Sequence, residues 1–274
     1  MMGGMKIAAL QMVSTPRVDD NLATARRLID QAAADGAKLV GLPEYFCFMG
    51  ATDRDKLAIA EAPGDGPIQQ MLSDAAKQHG VWVMGGTLPI RSGDPDYVMN
   101  ANCVYAPDGS LAARYDKMHL FRYDNGRESY DEGRVLRAGD APMSFEAGSV
   151  RVGLSICYDL RFPELYRRIT FGAEKPCDLI AVPAAFTYTT GRAHWELLLR
   201  ARAIENQCYV IAPAQGGTHE NGRRTWGHSM VIDPWGEVLN VLPEGAGVVM
   251  AELDPARIAS VRSQLPALAH RRCI

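Results

Sequence analysis

Three expected strands in this sequence each stop at a residue that can do chemistry. Leu39-Val40-Gly41-Leu42-Pro43 ends at Glu44, Leu111–Asp116 at Lys117, and Val150–Ile156 at Cys157. A carboxylate just past a buried strand is partly desolvated, which makes it a useful base. A fixed ammonium can stabilise a developing oxyanion. A cysteine on a sharp strand-to-helix turn is exposed beside backbone N–H groups, and a cation or helix start nearby gives it thiolate character. Pro163 suits the first turn of the helix that would follow Cys157. Taken singly, each residue has a plainer reading: a solvated loop glutamate, a surface lysine, a small buried thiol. Together they are a base, a cation and a nucleophile.

Two neighbouring patterns compete with this set. Gly153-x-Ser155-x-Cys157 is close to the Gly-x-Ser-x-Gly elbow of serine hydrolases, but its final glycine is missing. Strand alternation puts Ser155 on the face of Cys157 but deeper. The histidines, at 79, 119, 194, 219, 228 and 270, show no tight ligand spacing, so the sequence gives a metalloenzyme no support.

The elements that must position these residues alternate between strand and helix. Strands are expected at Met5–Gln11, Leu39–Leu42, Val81–Thr87, Val150–Ile156, Leu179–Pro183, Tyr209–Pro213, His228–Asp233 and Val248–Leu253. Asn100–Tyr105 and Leu111–Asp116 flank Pro107-Asp108-Gly109 and read as a hairpin. Helices are expected from an Asn21 cap to Ala34, and over Ile68–His79, Phe162–Phe171 and His194–Glu205. Phe121–Ser149 reads as a long irregular loop, and a loop of that length is usually a lid or a binding loop. The class is α/β with mixed strand directions.

Composition narrows the function. The 274 residues are 47% hydrophobic and 22% charged, with a net charge of −3. No low-complexity linker divides the chain, so a single domain over residues 5–274 is expected. The charge argues against a nucleic-acid partner, and the lack of an apolar run of about 18 residues argues against a membrane span. Met1-Met2-Gly3-Gly4-Met5-Lys6 lacks an apolar signal core and reads as a short leader. The six cysteines form no Cys-x-x-Cys pair, which fits a reducing, cytoplasmic compartment.

The three segments, in this order, resemble the Glu-Lys-Cys triad of the nitrilase superfamily of carbon–nitrogen hydrolases. The resemblance is carried by Leu42-Pro43-Glu44, by Tyr115-Asp116-Lys117-Met118-His119-Leu120-Phe121, and by Ile156-Cys157-Tyr158-Asp159-Leu160-Arg161-Phe162-Pro163-Glu164-Leu165. It continues through Pro183-Ala184-Ala185-Phe186, Gly191-x-Ala193-His194-Trp195, Arg200–Asn206, Gly227-His228-Ser229-Met230 and Asp233-Pro234-Trp235-Gly236. The later stretches are similar to the Nit branch, which includes omega-amidases and the amidase of deaminated glutathione. The resemblance implies a four-layer α-β-β-α sandwich. It also implies hydrolysis of a small linear amide, carrying a carboxylate, to acid and ammonia through a thioester on Cys157. In this scheme Glu44 is the base, and Lys117 and the Tyr158 backbone N–H hold the oxyanion.

The resemblance further implies a second glutamate beside Lys117, matched best by Glu132, with Glu128 as the competitor. Tyr45, Phe48, Phe186 and Thr187 are expected to line the pocket. Arg161 either binds a substrate carboxylate or pairs with Asp159 or Glu164. Trp195 and Leu197-Leu198-Leu199 are expected in the core or an interface. The chemistry requires no cofactor. A homodimer or higher homo-oligomer is expected across the helices after Cys157 and around Arg200–Asn206, with the tail from about 254 to 274 at the interface. The rival readings are nitrile or N-carbamoyl hydrolysis on the same triad, a non-catalytic binding module, and a redox role for Cys157.

Overall fold

Alternate residues of the first strand, Met5–Gln11, enter two different cores. Ile7 and Ala9 face one apolar cluster, while Ala8 and Leu10 face another, as the two-residue period of a strand buried on both faces requires. This computed structural model describes residues 4–272; the expected leader's first three residues, and Cys273 with Ile274, lie outside them.

Among the described residues, an eight-stranded and a six-stranded sheet carry the fold. The first runs Gly247–Leu253, Met5–Gln11, Leu39–Gly41, Trp82–Met84, Val98–Tyr105, Leu88–Arg91. Leu111–Asp116 and Leu136–Arg137 also pair with Val98–Tyr105. The second sheet runs Met143–Ala147, Val150–Leu154, Leu179–Ala181, Tyr209–Ala212, Ser229–Ile232, Val238–Leu242. Each sheet has parallel strands at its centre and antiparallel strands towards its edges, apart from Leu136–Arg137, which pairs parallel with Val98–Tyr105.

The sheets pack face to face. Ile7, Ala9 and Leu39 of the first share one core with Val152, Leu154 and Leu179 of the second. Helices α1 (Val18–Ala34) and α2 (Pro67–His79) cover the outer face of the first sheet, and Leu28, Ile29, Leu72 and Ala75 fill the core beneath them. Helices α3 (Pro163–Phe171) and α4 (Tyr188–Asn206) cover the second sheet. The result is the expected four-layer α-β-β-α sandwich. Gly153 allows the close approach of α3, since a Cβ there would collide with Ile169.

Several expected elements change. Helix α1 begins at Val18 rather than after Asn21, whose side chain instead joins Thr15 N–H to the Cys47 carbonyl. Helix α4 starts six residues before His194, capped by the Thr187 hydroxyl. The long loop after Phe121 contains a hairpin (Arg122–Asp124 with Ser129–Asp131) and the sheet strands Leu136–Arg137 and Met143–Ala147. A second hairpin, Gly216–Thr218 with Arg224–Trp226, and the edge strand Val238–Leu242 lie in stretches for which no element was expected. The tail forms a helix, α5 (Pro255–Gln264), which buries Ile258 and Val261 against its own chain.

Candidate active site

The C-terminal ends of facing strands bring the three residues together. Glu44 follows Leu39–Gly41, and Cys157 follows Val150–Leu154 on the opposite sheet. Lys117 follows Leu111–Asp116, and its backbone N–H donates to Asn100 O at 3.0 Å. All three are buried.

Lys117 Nζ donates to Glu44 Oε1 at 2.9 Å and to Glu132 Oε1 and Oε2 at 2.9 and 2.8 Å. Burial works against its charge, but Glu132 and Glu44 outweigh burial and hold the ammonium's pKa above the usual lysine value. Glu132 also accepts from Tyr45 Oη (2.8 Å) and Phe121 N–H (2.7 Å). Glu128 instead accepts from the Thr189 hydroxyl at 3.0 Å in an exposed position. Of the two candidate glutamates, the fold therefore brings Glu132 to Lys117.

Glu44 is fixed from three directions. Oε1 accepts from Asn100 Nδ2 and Lys117 Nζ, and Oε2 accepts from Ala185 N–H, each at 2.9 Å. Its carboxylate and the Cys157 thiol line the same pocket. Burial first, then Glu44, push the thiol well above its ordinary pKa, with Lys117 pulling the other way. These surroundings favour the protonated thiol over the expected thiolate, so attack calls for a base to take the proton.

The nucleophile's turn is strained. Cys157 has φ of 49°, a left-handed conformation costing a non-glycine residue roughly 1–2 kcal/mol. The turn is held by Cys157 N–H to Pro183 O (2.9 Å) and by Asp159, whose buried carboxylate accepts from Ile156 N–H, Tyr115 Oη and His119. Tyr158 N–H has no protein partner among the described residues, and it opens the short 3-10 turn Cys157–Arg161.

The pocket wall contains Tyr158, Arg161, Phe186 and Thr187, as expected, together with Phe121, Thr190 and Arg223. Tyr45 is not in the wall; it lies beneath, supporting Glu132. Phe48 borders a separate outer basin. Arg161 has no acidic partner among the described residues. Asp159 is turned towards His119, and the guanidinium lies over Tyr158 and Phe186, at 5.8 and 5.4 Å from the ring centroids. Ser155 is wholly buried, donating to Ala181 O and accepting from Tyr166 Oη, so it does not reach the pocket.

Residues 6–263 match the family described as carbon–nitrogen hydrolase. This chain belongs to the carbon–nitrogen hydrolase family. It is similar to the deaminated glutathione amidase of Synechocystis sp., with 44% identity over 96% of this chain and 97% of that one. It is similar to the omega-amidase NIT2 of Homo sapiens, with 38% identity over 99% and 96%. Among solved structures it is similar to Saccharomyces cerevisiae Nit3, a member of branch 10 of the nitrilase superfamily. That match has a TM-score of 0.89 and 31% identity, and covers 100% of this chain and 98% of that one.

Two residues of this carbon–nitrogen hydrolase site gave no sequence signal. Asn100 lies within an expected hairpin strand, and nothing in strand periodicity distinguishes a side chain that reaches Glu44. Arg223 sits in Asn221-Gly222-Arg223-Arg224, which reads as an ordinary charged turn; it enters the pocket because the unrecognised hairpin folds back onto Ala185.

Proposed function

We propose that this carbon–nitrogen hydrolase cleaves small carboxylate-bearing amides through a thioester on Cys157. The observation that carries the reading is Glu44 in the same pocket lining as Cys157 while bonded to the buried Lys117. Glu44 takes the thiol proton as sulfur attacks the amide carbon. Protonation weakens the hold of Glu44 on Lys117, which frees one ammonium N–H for the new oxyanion. The open N–H of Tyr158 is the second donor. Glu44 then protonates the amide nitrogen, the C–N bond breaks, and the thioester remains. Water, deprotonated by Glu44, attacks the thioester; the acid leaves and the thiol recovers its proton. A primary amide releases ammonia, and an amide with a further chain on nitrogen releases an amine. Arg161, which contacts His194 but has no acidic partner among the described residues, supports a carboxylate on the acyl side of the substrate. The similarity to deaminated glutathione amidases and omega-amidases supports the same substrate class.

The reading includes a single domain over residues 5–274 working as a homodimer in the cytoplasm. Leu197 on α4 is 70% exposed and Trp235 is 53% exposed. Ile204, also exposed on α4, packs against the turn carrying Trp235. This apolar face supports a two-fold contact across α4, with the residues after α5 beside it. Five buried free thiols support a reducing compartment.

The test is turnover of omega-amides, followed as ammonia, and of deaminated glutathione, followed as released amine. Cys157→Ala runs in parallel. Turnover lost in the variant supports the thioester. A folded wild type that hydrolyses nitriles or N-carbamoyl compounds but no amide would overturn the reading.

A further inference from the structure

The two donors assigned to the oxyanion come from different sheets. Lys117 follows a strand of the first, and the Tyr158 N–H sits on the turn that follows Val150–Leu154 of the second. Their separation is set by whatever joins the sheets at that point. Asp159 touches both segments.

Its side chain is fully buried and stands outside the pocket wall. Oδ2 accepts from Ile156 N–H and from Tyr115 Oη, each at 2.8 Å. Oδ1 accepts from His119 N–H at 3.0 Å and from His119 Nδ1 at 2.7 Å. A carboxylate offers about four acceptor sites, so this one is filled. One donor belongs to the residue before Cys157. The others belong to Tyr115 and His119, which lie two residues before and two residues after Lys117. Lys117 is thus gripped on both flanks by a group two residues beyond the nucleophile.

The two arms suit the task. Burial first, then Asp159, hold the Tyr115 hydroxyl far above the usual phenol pKa, so it remains a donor. His119 donates through Nδ1–H, because a carboxylate only accepts. Its ring also stacks on Phe162, the residue after the Cys157–Arg161 turn, with centroids 3.8 Å apart and planes 6° apart. The base has its own tie to the second sheet, the Ala185 N–H on Glu44. The Asp159 cluster is the corresponding tie for the cation.

We propose that Asp159 is a positioning residue, with Tyr115 and His119 as its arms, that sets the spacing between the Lys117 ammonium and the Tyr158 N–H. It meets no reacting atom. Oxyanion donors act only when aimed at the place where charge develops, so a small change in that spacing is felt in the transition state and little in ground-state binding. This inference rests on the thioester reading above.

The test separates misplaced donors from lost stability. Tyr115→Phe removes only the hydroxyl. His119→Phe keeps a ring over Phe162 but removes Nδ1–H. Turnover of succinamate and of deaminated glutathione is measured where each variant is folded by circular dichroism. Inhibition by succinic semialdehyde is measured beside it. There the Cys157 sulfur bonds to the aldehyde carbon, the C=O π bond opens, and the thiol proton passes to the new oxygen, which takes the oxyanion position. Each variant should lose about tenfold in kcat per folded molecule, with KM changed less than about threefold. Affinity for the semialdehyde should fall by a similar factor. The double variant should lose less than the product of the single losses, because both arms end on one carboxylate. Asp159→Asn should resemble the double variant; if it does not fold, the two arms still decide. A lower melting temperature with wild-type kcat per folded molecule would overturn the proposal, as would losses confined to KM or losses that simply multiply. A wild type that hydrolyses neither amide yet binds the semialdehyde would remove the amidase reading and leave the aldehyde affinities to decide this one. A wild type that does neither would remove both.

Discussion

Both carboxylate oxygens of Glu132 grip the ammonium of Lys117, at 2.9 and 2.8 Å, where neither side chain has appreciable contact with solvent. Removing one partner of a buried pair leaves a charge poorly compensated, at a cost of about 3–5 kcal/mol. Glu132→Ala is therefore expected to lower the melting temperature and turnover together. Glu132→Gln keeps one acceptor for Lys117 and should retain more stability, yet still lose about 10²-fold in kcat through misplacement of the cation. Thermal melts beside steady-state kinetics check this. Full activity in Glu132→Gln would show that Lys117 needs no second carboxylate.

The raised pKa of Cys157 gives an alkylation prediction with a definite sign. Iodoacetamide should react slowly at neutral pH, with the rate still climbing above roughly pH 8.5, where an ordinary thiol titrates. Glu44 is one cause of that elevation. Glu44→Gln should therefore move the alkaline limb to lower pH even as it abolishes amide turnover. A limb that stays in place would mean burial alone sets the thiol's titration.

Buried thiols also set an alkaline limit on the fold. Burial pushes Cys103 and Cys177 up to about 12. Above roughly pH 8.5 the unfolded chain releases these protons while the native one keeps them. Their stabilising contribution is complete below that pH and is lost as pH rises towards 12. Denaturant midpoints measured from pH 7 to 10.5 should fall, and Cys103→Ala with Cys177→Ala should flatten the slope whatever their effect at neutral pH.

Gly86 has φ of 53°, and a Cβ there would run into the carbonyl of Pro43, one residue before the proposed base. Gly86→Ala is expected to cost about 2–4 kcal/mol and to cut activity at temperatures where the variant remains folded, because Glu44 would be displaced. Wild-type turnover in a destabilised variant would show that the loop moves without taking Glu44 with it.

Leu197→Arg on α4 should convert the proposed dimer into a folded monomer by sedimentation, since a buried unpaired charge opposes a two-fold contact twice. A wild type that is monomeric at micromolar concentration would count against the interface.

The triad was legible because each member follows a strand that the sequence marks, two by short apolar runs and one by its hairpin turn. Leu111–Asp116, which leads to Lys117, has the bounds its alternation and turn suggested. The stretch after Phe121 was not legible: strands of two and three residues carry too few positions to show a period. For the same reason Glu128 and Glu132 could not be separated, as only the folded hairpin turns one inwards and the other outwards. The start of α4 was hidden by Gly191, a helix-weakening residue whose absent side chain admits Trp226. Arg223 and Tyr45 illustrate a further limit. Whether a side chain lines a cavity or supports the residue that does depends on distances of a few ångströms, which composition and spacing do not carry.

Asn100 spans the proposed base and its cation: its carbonyl fixes the backbone of Lys117, and its amide group fixes the carboxylate of Glu44. It acts as a jig for their separation and sits behind the pocket, outside the wall. The side chains that line the pocket, Phe121, Phe186, Thr187 and Arg223 among them, belong to other segments. Substrate range and catalytic gauge are thus written in separate parts of the chain. Over generations, or in a directed-evolution campaign, the loops are free to explore new amides while the reacting groups keep their spacing, so a scaffold of this kind can change its diet without relearning its chemistry.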